Sequence, residues 1–465
     1  MSKTEELLER GITVDGNGKI TNFNPNYFPQ YVKNHYKIIY AKDGYYYEYK
    51  NNVWIRLDEN ALLRKFRDLF QAPMYGIWSP RYESDYMVGM KRELYYDGEL
   101  NPKKQLINLI NGMYDTDTFK LLPHSPEYYS VIQIQTMFDE HAECPMFEKF
   151  IDQIFEGDKE RISVAQEWAG YVLTTHTNAQ KALILLGDGS NGKGVFTDVL
   201  SRLIGEENIS NIPLNELSKS FSRVKLFGRT ANISGENEMN GKSLNSQYLK
   251  AITGEDTISA EEKGKAVFSF RPTVKLIFTM NSLPVSYDNS YGFYRRLSIL
   301  AFTATFNGEN KDTHLKEKLT NELPGIFLWA MEGLKRLREN DFKFSDCQSM
   351  DDILRRYQSE QKPLYEFFED CIAPADDPEN RVGNKMVYET FRRWAVENGI
   401  ASYYSKMSAQ RFWREFEECA KKNGYKCTSG RSNSFRFHRG FKINDAYQAS
   451  NGISLNNQYN IVVNE

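Results

Sequence analysis

The chain of 465 residues is 40% hydrophobic and 26% charged, with a formal net charge of −3. This length exceeds what one hydrophobic core can organise, so we expect roughly two to four domains. The nearly neutral total limits contacts with nucleic acid to local basic patches. Five scattered cysteines without a C-x-x-C pair argue against a zinc site and a disulfide framework. No secretory signal or membrane-spanning apolar run is visible, so we expect a cytoplasmic protein without membrane contact.

The first 125 residues mix short strands and helices and predict an α/β region whose role the sequence leaves open. Residues 44–57 alternate around Asn51 and Asn52, which predicts a hairpin, and residues 59–70 predict a helix. The aromatic residues of this region, among them Trp54, Trp78 and the run 45–47, form either a core or a stacking surface. We favour a core.

Three further regions follow in chain order. Pro123 and Pro126 mark a boundary, after which residues 126–178 show the three- and four-residue spacing of helices. Residues 179–345 contain four apolar runs of the length of buried strands, which predict a compact α/β domain. Residues 346–465 return to a helical pattern and end in a basic and aromatic segment.

The stretch LLGDGSNGKGVF, residues 185–196, has the pattern of a loop that binds nucleotide phosphates. A strand-like run precedes it and an amphipathic helix follows, so backbone N–H groups would converge on a phosphate at a helix N-terminus. Lys193 would reach the β and γ phosphates. The alternative is a structural glycine turn. The predicted nucleotide-binding residues are Gly187, Asp188, Gly189, Ser190, Asn191, Gly192, Lys193, Gly194 and Val195.

The magnesium ligands are less regular, because Gly194 stands where the pattern has a Ser or Thr hydroxyl. Mg²⁺ keeps several waters and can be held by acidic residues elsewhere, with Thr197 as a weaker candidate. Glu236 and Glu238 follow the next strand-like run, and Glu236 is our first choice to hold magnesium, directly or through water. The other carboxylate would orient the attacking water. Without the phosphate loop, this acidic pair would indicate a solvated turn.

Two more polar features accompany the apolar runs. Asn281 ends the third run and would lie beside the γ-phosphate, although an asparagine in this position is more often a turn residue. Arg295 and Arg296 precede the fourth run. Arginine is suited to stabilising charge on a transferring phosphoryl group, frequently from a neighbouring subunit, although paired arginines alone more often lie on a solvated surface.

This succession of phosphate loop, acidic strand end, Asn-ended strand and paired arginines resembles superfamily 3 helicases, and more narrowly the poxvirus-type primase-helicases of phages, plasmids and integrated islands. The segment GDGSNGKG is similar to their G-x-G-x-N-G-K loop, in which glycine after the lysine is tolerated. The resemblance covers roughly residues 100–395. It implies an AAA+-like P-loop core at 179–345, an oligomerisation collar at 126–178, and a ring, usually hexameric. The ring would hydrolyse ATP with Mg²⁺ at subunit interfaces and translocate on DNA.

Residues 256–272 read as a hairpin with Lys263 and Lys265 at its tip. The resemblance implies that this hairpin grips the DNA backbone in the channel of the ring, where the lysines contact phosphates without reading sequence. Glu261 and Glu262 stand beside them and would cancel their charge in an ordinary exposed hairpin.

The C-terminal region is basic within a chain that is nearly neutral. Residues 384–442 hold thirteen Lys or Arg against five Asp or Glu, a local charge of +8. Two predicted helices and a strand-turn-strand have the layout of a winged helix that binds DNA, against the alternative of a solvated charged face. The candidate contacts are Lys421, Lys422, Arg431, Arg436 and Arg439.

The sequence therefore predicts an α/β multidomain protein that acts as an ATP-driven DNA helicase and starts replication of a phage, plasmid or integrated element. Its expected partners are DNA, copies of itself in a homo-hexamer, and host replication proteins. One alternative is the helicase half of a primase-helicase, and another is an origin-binding protein that uses ATP for assembly without unwinding. A metabolic kinase is more distant, because it would leave the basic segments without a role.

Overall fold

The structure is a computed structural model that describes residues 2–235, 237, 244–264, 267–286, 288, 290–306, 314–361, 363–377, 379–398, 407–432, 435–445, 453–456 and 460–463. It divides into two compact units, residues 1–353 and 354–465. Each unit is described by itself below. Within the described ranges, no helix combines the length and the apolar character needed to cross a membrane.

The N-terminal elements form three small sheets covered by helices, in the strand orders β1-β2, β5-β4-β3-β6 and β7-β8-β9. The helices are α1 (Lys3–Glu9), α2 (Tyr27–His35), α3 (Glu59–Gln71) and α4 (Pro80–Glu93). The strands are β1 (Ile12–Val14), β2 (Ile20–Phe23), β3 (Ile38–Ala41), β4 (Tyr46–Lys50), β5 (Val53–Arg56), β6 (Tyr95–Tyr96), β7 (Leu106–Leu109), β8 (Gly112–Asp115) and β9 (Lys120–Leu122).

The predicted hairpin and the helix after it are confirmed. Asn51 and Asn52 have φ angles of 51° and 66°, the left-handed conformation of a two-residue hairpin turn, and β4 and β5 pair from Lys50↔Val53 outward. The Asp58 side chain then accepts hydrogen bonds from two backbone N–H groups in the first turn of α3 and caps that helix.

The aromatic residues of this region divide between core and surface. Tyr46, Tyr47 and Trp54 are buried, as predicted for a core. Trp78 is half-buried, and Tyr45 keeps part of its ring in solvent. Both half-buried rings pack against buried clusters, so the preference for a core describes all five residues, although Tyr45 and Trp78 also reach solvent.

The middle of the chain carries a five-stranded sheet with helices packed on it. The helices are α5 (Pro145–Ile154), α6 (Lys159–Tyr171), α7 (Lys193–Ile204), α8 (Ser220–Arg223), α9 (Ser246–Thr253), α10 (Tyr291–Tyr294), α11 (Leu315–Thr320), α12 (Leu323–Glu339) and α13 (Gln348–Glu360). The strands are β10 (Ala182–Leu186), β11 (Ile209–Ser210), β12 (Ala231–Ser234), β13 (Ile258–Ala260), β14 (Phe268–Phe270), β15 (Lys275–Met280) and β16 (Leu297–Ala301). Single 3₁₀ turns occupy Pro126–Tyr128, Glu206–Asn208, Leu214–Glu216 and Val224–Leu226.

The large sheet has the order β11-β12-β15-β10-β16, and every pair in it is parallel. The four apolar runs predicted as strands are β10, β12, β15 and β16. Parallel strands covered on both faces need apolar side chains in both directions, which explains why these runs lack a polar alternation. The sheet places the carboxyl ends of β12, β15, β10 and β16 along one edge.

One hydrophobic core runs from Ile107 to Cys347 and crosses the predicted boundaries at 125/126 and 178/179. Helix α12 lies so close to α6 that a Cβ at Gly333 would be 2.3 Å from the carbonyl oxygen of Gln166. Arg336 Nε also donates to the buried Glu167 Oε1 at 2.7 Å. The predicted helical and α/β regions therefore share a core, and their division into separate domains stays a prediction.

The second unit contains the predicted pair of helices and the strand-turn-strand. Its helices within the described residues are α14 (Pro363–Cys371), α15 (Asn384–Glu397) and α16 (Ala409–Lys422). Its strands are β17 (Ile372–Pro374), β18 (Arg381–Gly383), β19 (Thr428–Arg431), β20 (Arg436–Arg439), β21 (Phe441–Ile443), β22 (Ile453–Asn456) and β23 (Asn460–Val463). They pair in the orders β18-β20-β19, β17-β21 and β22-β23. An aromatic core that includes Phe391, Trp394, Phe412 and Phe416 holds the helices together.

Candidate functional site

The glycine-rich loop leaves β10 between the two strands that flank it. Leu186 pairs with Met280 on one side and with Ala301 on the other. Gly187 N donates to Met280 O at 3.1 Å, and Phe302 N donates to Leu186 O at 2.8 Å. The loop is therefore anchored at the carboxyl edge of the sheet before it turns into α7.

The loop then curls so that α7 begins at Lys193. Ser190 and Gly192 have φ angles of 58° and 91°. At Gly192 a Cβ would also lie 2.4 Å from Ile154, so both the backbone angle and the packing require glycine. The result is a helix N-terminus with a curled loop in front of it, the arrangement that binds phosphate groups.

Lys193 lies along the inner side of this loop. The residue is buried, and its Nζ donates to the carbonyl oxygens of Gly187 and Asp188. Burial lowers the pKa of the lysine from its ordinary value. A nearby phosphate would oppose that shift, because a negative charge favours the protonated amine.

Asn191 braces the loop from within. Its Nδ2 donates to Asp188 O at 2.5 Å and to Phe302 O at 3.2 Å, and its Oδ1 accepts from Lys193 N at 3.4 Å. Arg161 on α6 supports the same segment from behind, with a bond from its guanidinium to Ala301 O at 3.2 Å. The sequence pattern places Asn191 in the loop but does not reveal these partners.

We expect Asn191→Ala to lower ATP affinity by about tenfold, because buried carbonyl groups that lose their donor cost roughly 1–3 kcal/mol and the loop loosens. Isothermal titration with a non-hydrolysable ATP analogue measures the effect. Asn215→Ala changes a solvent-accessible asparagine elsewhere in the unit and serves as the control. Equal affinity of Asn191→Ala and the wild type for the ATP analogue would show that the hydrogen bonds of Asn191 do not organise the site.

The residues predicted to hold Mg²⁺ are Glu236, Glu238 and Thr197. Glu236 and Glu238 lie outside the described residues. Thr197 Oγ1 donates to Lys193 O at 3.1 Å, so its hydrogen is engaged within α7. A Cβ at Gly194 meets no atom within 4 Å, so packing does not demand glycine where a hydroxyl residue is usual.

Asn237 lies between the two glutamates in the chain and has a structural role that the sequence did not predict. Its Oδ1 accepts from Leu214 N at 2.9 Å, and its Nδ2 donates to Ser234 O and Thr279 O at 3.0 and 3.3 Å. These bonds join the ends of β12 and β15 beside the loop. An amide is needed here because one side chain both donates and accepts.

Asn281 lies next to the loop, whereas the two arginines do not. Asn281 follows Met280, whose carbonyl accepts from Gly187, and is exposed at the same sheet edge. Arg295 and Arg296 precede β16 and lie at the opposite edge, since Leu297 pairs with Ala182 at the start of β10. The length of strand β16, about 13 Å, therefore separates the two arginines from the loop.

The arginines are held in place by local contacts. Arg295 donates to Gln180 Oε1 at 2.8 Å, and Arg296 donates to Gly292 O. Burial and the neighbouring Arg295 lower the pKa of Arg296. Two adjacent guanidinium groups at a partly exposed position favour an anionic partner.

The predicted hairpin is confirmed as the antiparallel pair β13 and β14. Lys263 is exposed at its tip, and Lys265 lies outside the described residues. The flanking glutamates bond elsewhere: Glu261 accepts from Ser220 at 3.3 Å, and Glu262 accepts from Tyr45 at 3.1 Å. Within the described ranges no ion pair joins Lys263 to either glutamate, and the partners of these carboxylates are neutral hydroxyls.

The five basic candidates of the second unit have different surroundings. Arg439 pairs with Glu379 at 2.9 Å, and the Lys422 amine lies 5.0 Å from the centre of the Tyr365 ring. Lys421, Arg431 and Arg436 are exposed, with no ion pair recorded in the part of the chain that the structure describes. Arg431 and Arg436 face each other across β19 and β20. Like charges in that register are destabilising unless an anion lies between them.

Two protein families match segments of the chain. A family described as "D5 N terminal like" matches residues 97–156, and a family of unknown function, DUF5906, matches residues 185–296. The second match begins in β10, includes the whole loop and ends at Arg296. It therefore spans the described residues of the candidate nucleotide site together with both arginines.

Viral proteins named as candidate helicases are also similar to this chain. The protein 184R of Invertebrate iridescent virus 6 is 23% identical over an alignment of 377 residues, gaps included, that covers 71% of this chain and 38% of that protein. A protein of Acanthamoeba polyphaga mimivirus is 21% identical over an alignment of 433 residues, gaps included, that covers 78% of this chain and 45% of that protein. The chain thus spans less than half the length of these relatives.

Among solved structures, the apo C-terminal region of NrS-1 has a similar fold. Two structures of that region each superpose with a TM-score of 0.53 at 14% sequence identity. The match covers 90% of this chain and 98% of the other chain. The mixed α/β architecture is therefore shared over nearly the whole length.

Proposed function

Because the chain belongs to the D5-type primase-helicase family, we propose that it is an ATP-driven ring helicase that melts or unwinds DNA to start replication of a phage, plasmid or integrated element. The observation that carries the proposal is the loop of residues 187–194, which places a buried lysine and a helix N-terminus at the carboxyl edge of a parallel sheet. Such a site binds nucleotide phosphates.

ATP and Mg²⁺ are the proposed cofactors. In the sheet order, the strand before the loop lies between the strand that ends near Asn281 and the strand that follows the arginines, as expected for an AAA+-like core. Asn281 would polarise the attacking water or contact the γ-phosphate. Mg²⁺ would be held by the phosphates, by water and by Glu236, with Glu238 orienting the water.

The location of the arginines supports a ring. They lie at the opposite sheet edge from the loop of their own subunit. In a ring the partly exposed arginines of one subunit can face the loop of the next, and an arginine supplied in this way stabilises the charge of phosphoryl transfer. We propose a homo-hexamer in which each nucleotide lies between two subunits.

Two basic regions would hold the DNA. Lys263 and Lys265 on the hairpin contact the backbone of the strand within the ring, without reading sequence. The second unit acts as a winged helix, with the β19–β20 hairpin as the wing and Arg431 and Arg436 facing the duplex. The exposed pair of facing arginines supports this part of the proposal. Host replication proteins would then join the melted origin.

A strand-displacement assay on a forked duplex tests the proposal. We expect strand release with ATP and none with a non-hydrolysable analogue. ATP-dependent binding or distortion of duplex DNA without release would favour an origin-remodelling protein. Primer synthesis on a single-stranded template would assign the chain to a primase-helicase with both activities.

Removal of the part of the second unit that follows α13 should separate the two DNA functions. We expect a chain that ends at Gln361 to keep ATP hydrolysis and single-strand binding but to discriminate at least about tenfold less between element DNA and scrambled duplex. The cut follows α13, because Cys347 and Met350 pack into the core of the first unit. Binding at two salt concentrations measures this, since phosphate contacts weaken steeply with salt.

The full-length double variant Arg431→Gln and Arg436→Gln is the matched test without truncation, with Arg393→Gln as control because Arg393 bonds Glu397 within its own helix. The double variant should lose duplex affinity and the control should not. Unchanged discrimination by both the truncated chain and the double variant would assign the second unit another role, such as binding a host protein.

A further inference from the structure

Four partly exposed aromatic rings meet where the β13–β14 hairpin contacts the N-terminal region. The Phe227 ring centre lies 6.0 Å from Tyr45, 5.4 Å from Phe268 and 5.2 Å from Phe270. The Phe268 and Phe270 rings are 5.8 Å apart and inclined by 27°. We call these four residues the aromatic shelf. Each retains contact with solvent, so the shelf is a surface rather than a closed core.

Positive charge accompanies the shelf. The Arg56 guanidinium lies 4.3 Å from the centre of the Tyr45 ring. Burial, and then the charge of Arg56, lower the pKa of Arg229, which follows Phe227 by two residues. Two cations that repel each other beside aromatic rings fit an anionic ligand that also has flat apolar groups.

The shelf is continuous with the hairpin tip. β14 carries Phe268 and Phe270, and the same hairpin presents Lys263. The Tyr45 hydroxyl donates to Glu262 Oε1 at 3.1 Å, which ties the N-terminal region to the hairpin beside this lysine. An apolar and cationic surface of this kind indicates a binding site.

We propose that the aromatic shelf binds single-stranded nucleic acid, with bases stacked on its rings and phosphates beside Arg56, Arg229 and Lys263. The inference rests on the proposed helicase function and extends the DNA path from the hairpin to the N-terminal region. Aromatic platforms combined with cations are the means by which proteins hold single strands without reading sequence. In this proposal the N-terminal region helps to guide the single strand of nucleic acid.

The test compares two oligomers of equal length and charge, one of thymidine and one of abasic sugar-phosphate, by fluorescence anisotropy with the full chain. The wild type should bind the thymidine oligomer at least about fivefold more tightly, because stacking requires the base. Phe268→Leu keeps apolar volume but removes the ring, and should reduce this ratio towards one. Phe268→Trp should retain it. Tyr75→Leu, at a residue 88% exposed elsewhere, should match the wild type.

Equal binding of both oligomers by the wild type would overturn the inference, as would an unchanged ratio in Phe268→Leu. Phe268→Leu could instead lower the melting temperature and lose binding of both oligomers. In that case Tyr45→Leu is the deciding variant, because Tyr45 lies outside the hairpin. An unchanged ratio of the two affinities in Tyr45→Leu would overturn the inference. If the wild type unwinds DNA and the shelf variants keep the wild-type ratio of affinities for the two oligomers, the shelf inference fails and the proposed function stands. A wild type that never unwinds with ATP contradicts the proposed function instead.

Discussion

Lys193→Ala should lower ATP turnover by about 100-fold or more and abolish unwinding, because the variant would lose the charge that we propose contacts the β and γ phosphates. The fold should survive. The lysine amine makes two hydrogen bonds within the loop, to Gly187 and Asp188. Such bonds contribute only about 0.5–1.5 kcal/mol each, and removal of a buried amine also relieves its desolvation. Phosphate release and a melting curve measure the two effects.

The control for this variant is Lys149→Ala, which removes an exposed lysine from α5 in the same unit. It should hydrolyse ATP like the wild type. Near-normal turnover in Lys193→Ala, with Lys149→Ala also active, would remove the loop from the catalytic mechanism. A large fall in melting temperature would instead assign Lys193 to the stability of the loop.

Mixing two inactive variants should restore ATP hydrolysis, because in the proposed ring the loop and the arginines of one site belong to different subunits. The double variant Arg295→Ala and Arg296→Ala should lose about a thousandfold in turnover by itself. Lys193→Ala subunits keep their arginines, and the double variant keeps its loop. In rings mixed at equal ratio about a quarter of the interfaces pair an intact loop with intact arginines, so about a quarter of wild-type turnover should return.

The matched control combines the double variant with subunits that carry all three substitutions. No interface in those rings has both parts, so turnover should stay at the background. If the first mixture also restores nothing although mixed rings form, either the arginines act within their own subunit or turnover requires every interface at once. The distance of a whole strand between loop and arginines weighs against the first explanation.

The sequence predicted those parts of the fold that depend on local pattern. β10, β12, β15 and β16 could be found because strands buried on both faces are continuous apolar runs. The loop could be placed because its glycines and lysine have fixed spacing, and the hairpin at Asn51 and Asn52 because these residues tolerate positive φ angles.

Features that depend on distant partners could not be predicted. Asn237 reaches Thr279, 42 residues away, and Asn191 reaches Phe302, 111 residues away. Neither bond leaves a signal in a single sequence. For the same reason the sequence did not show that Arg439 is paired with Glu379, or that Tyr45 lies beside the aromatic rings of the hairpin.

Electron cryomicroscopy of the full chain with an ATP analogue and forked DNA would examine the proposed assembly in one measurement. We predict a closed ring of six subunits, with each nucleotide in the loop at residues 187–194 of one subunit and beside Arg295 or Arg296 of the next. One strand should pass the hairpin tips at Lys263. Nucleotide bound to isolated subunits, or arginines that contact the nucleotide of their own subunit, would contradict the ring mechanism.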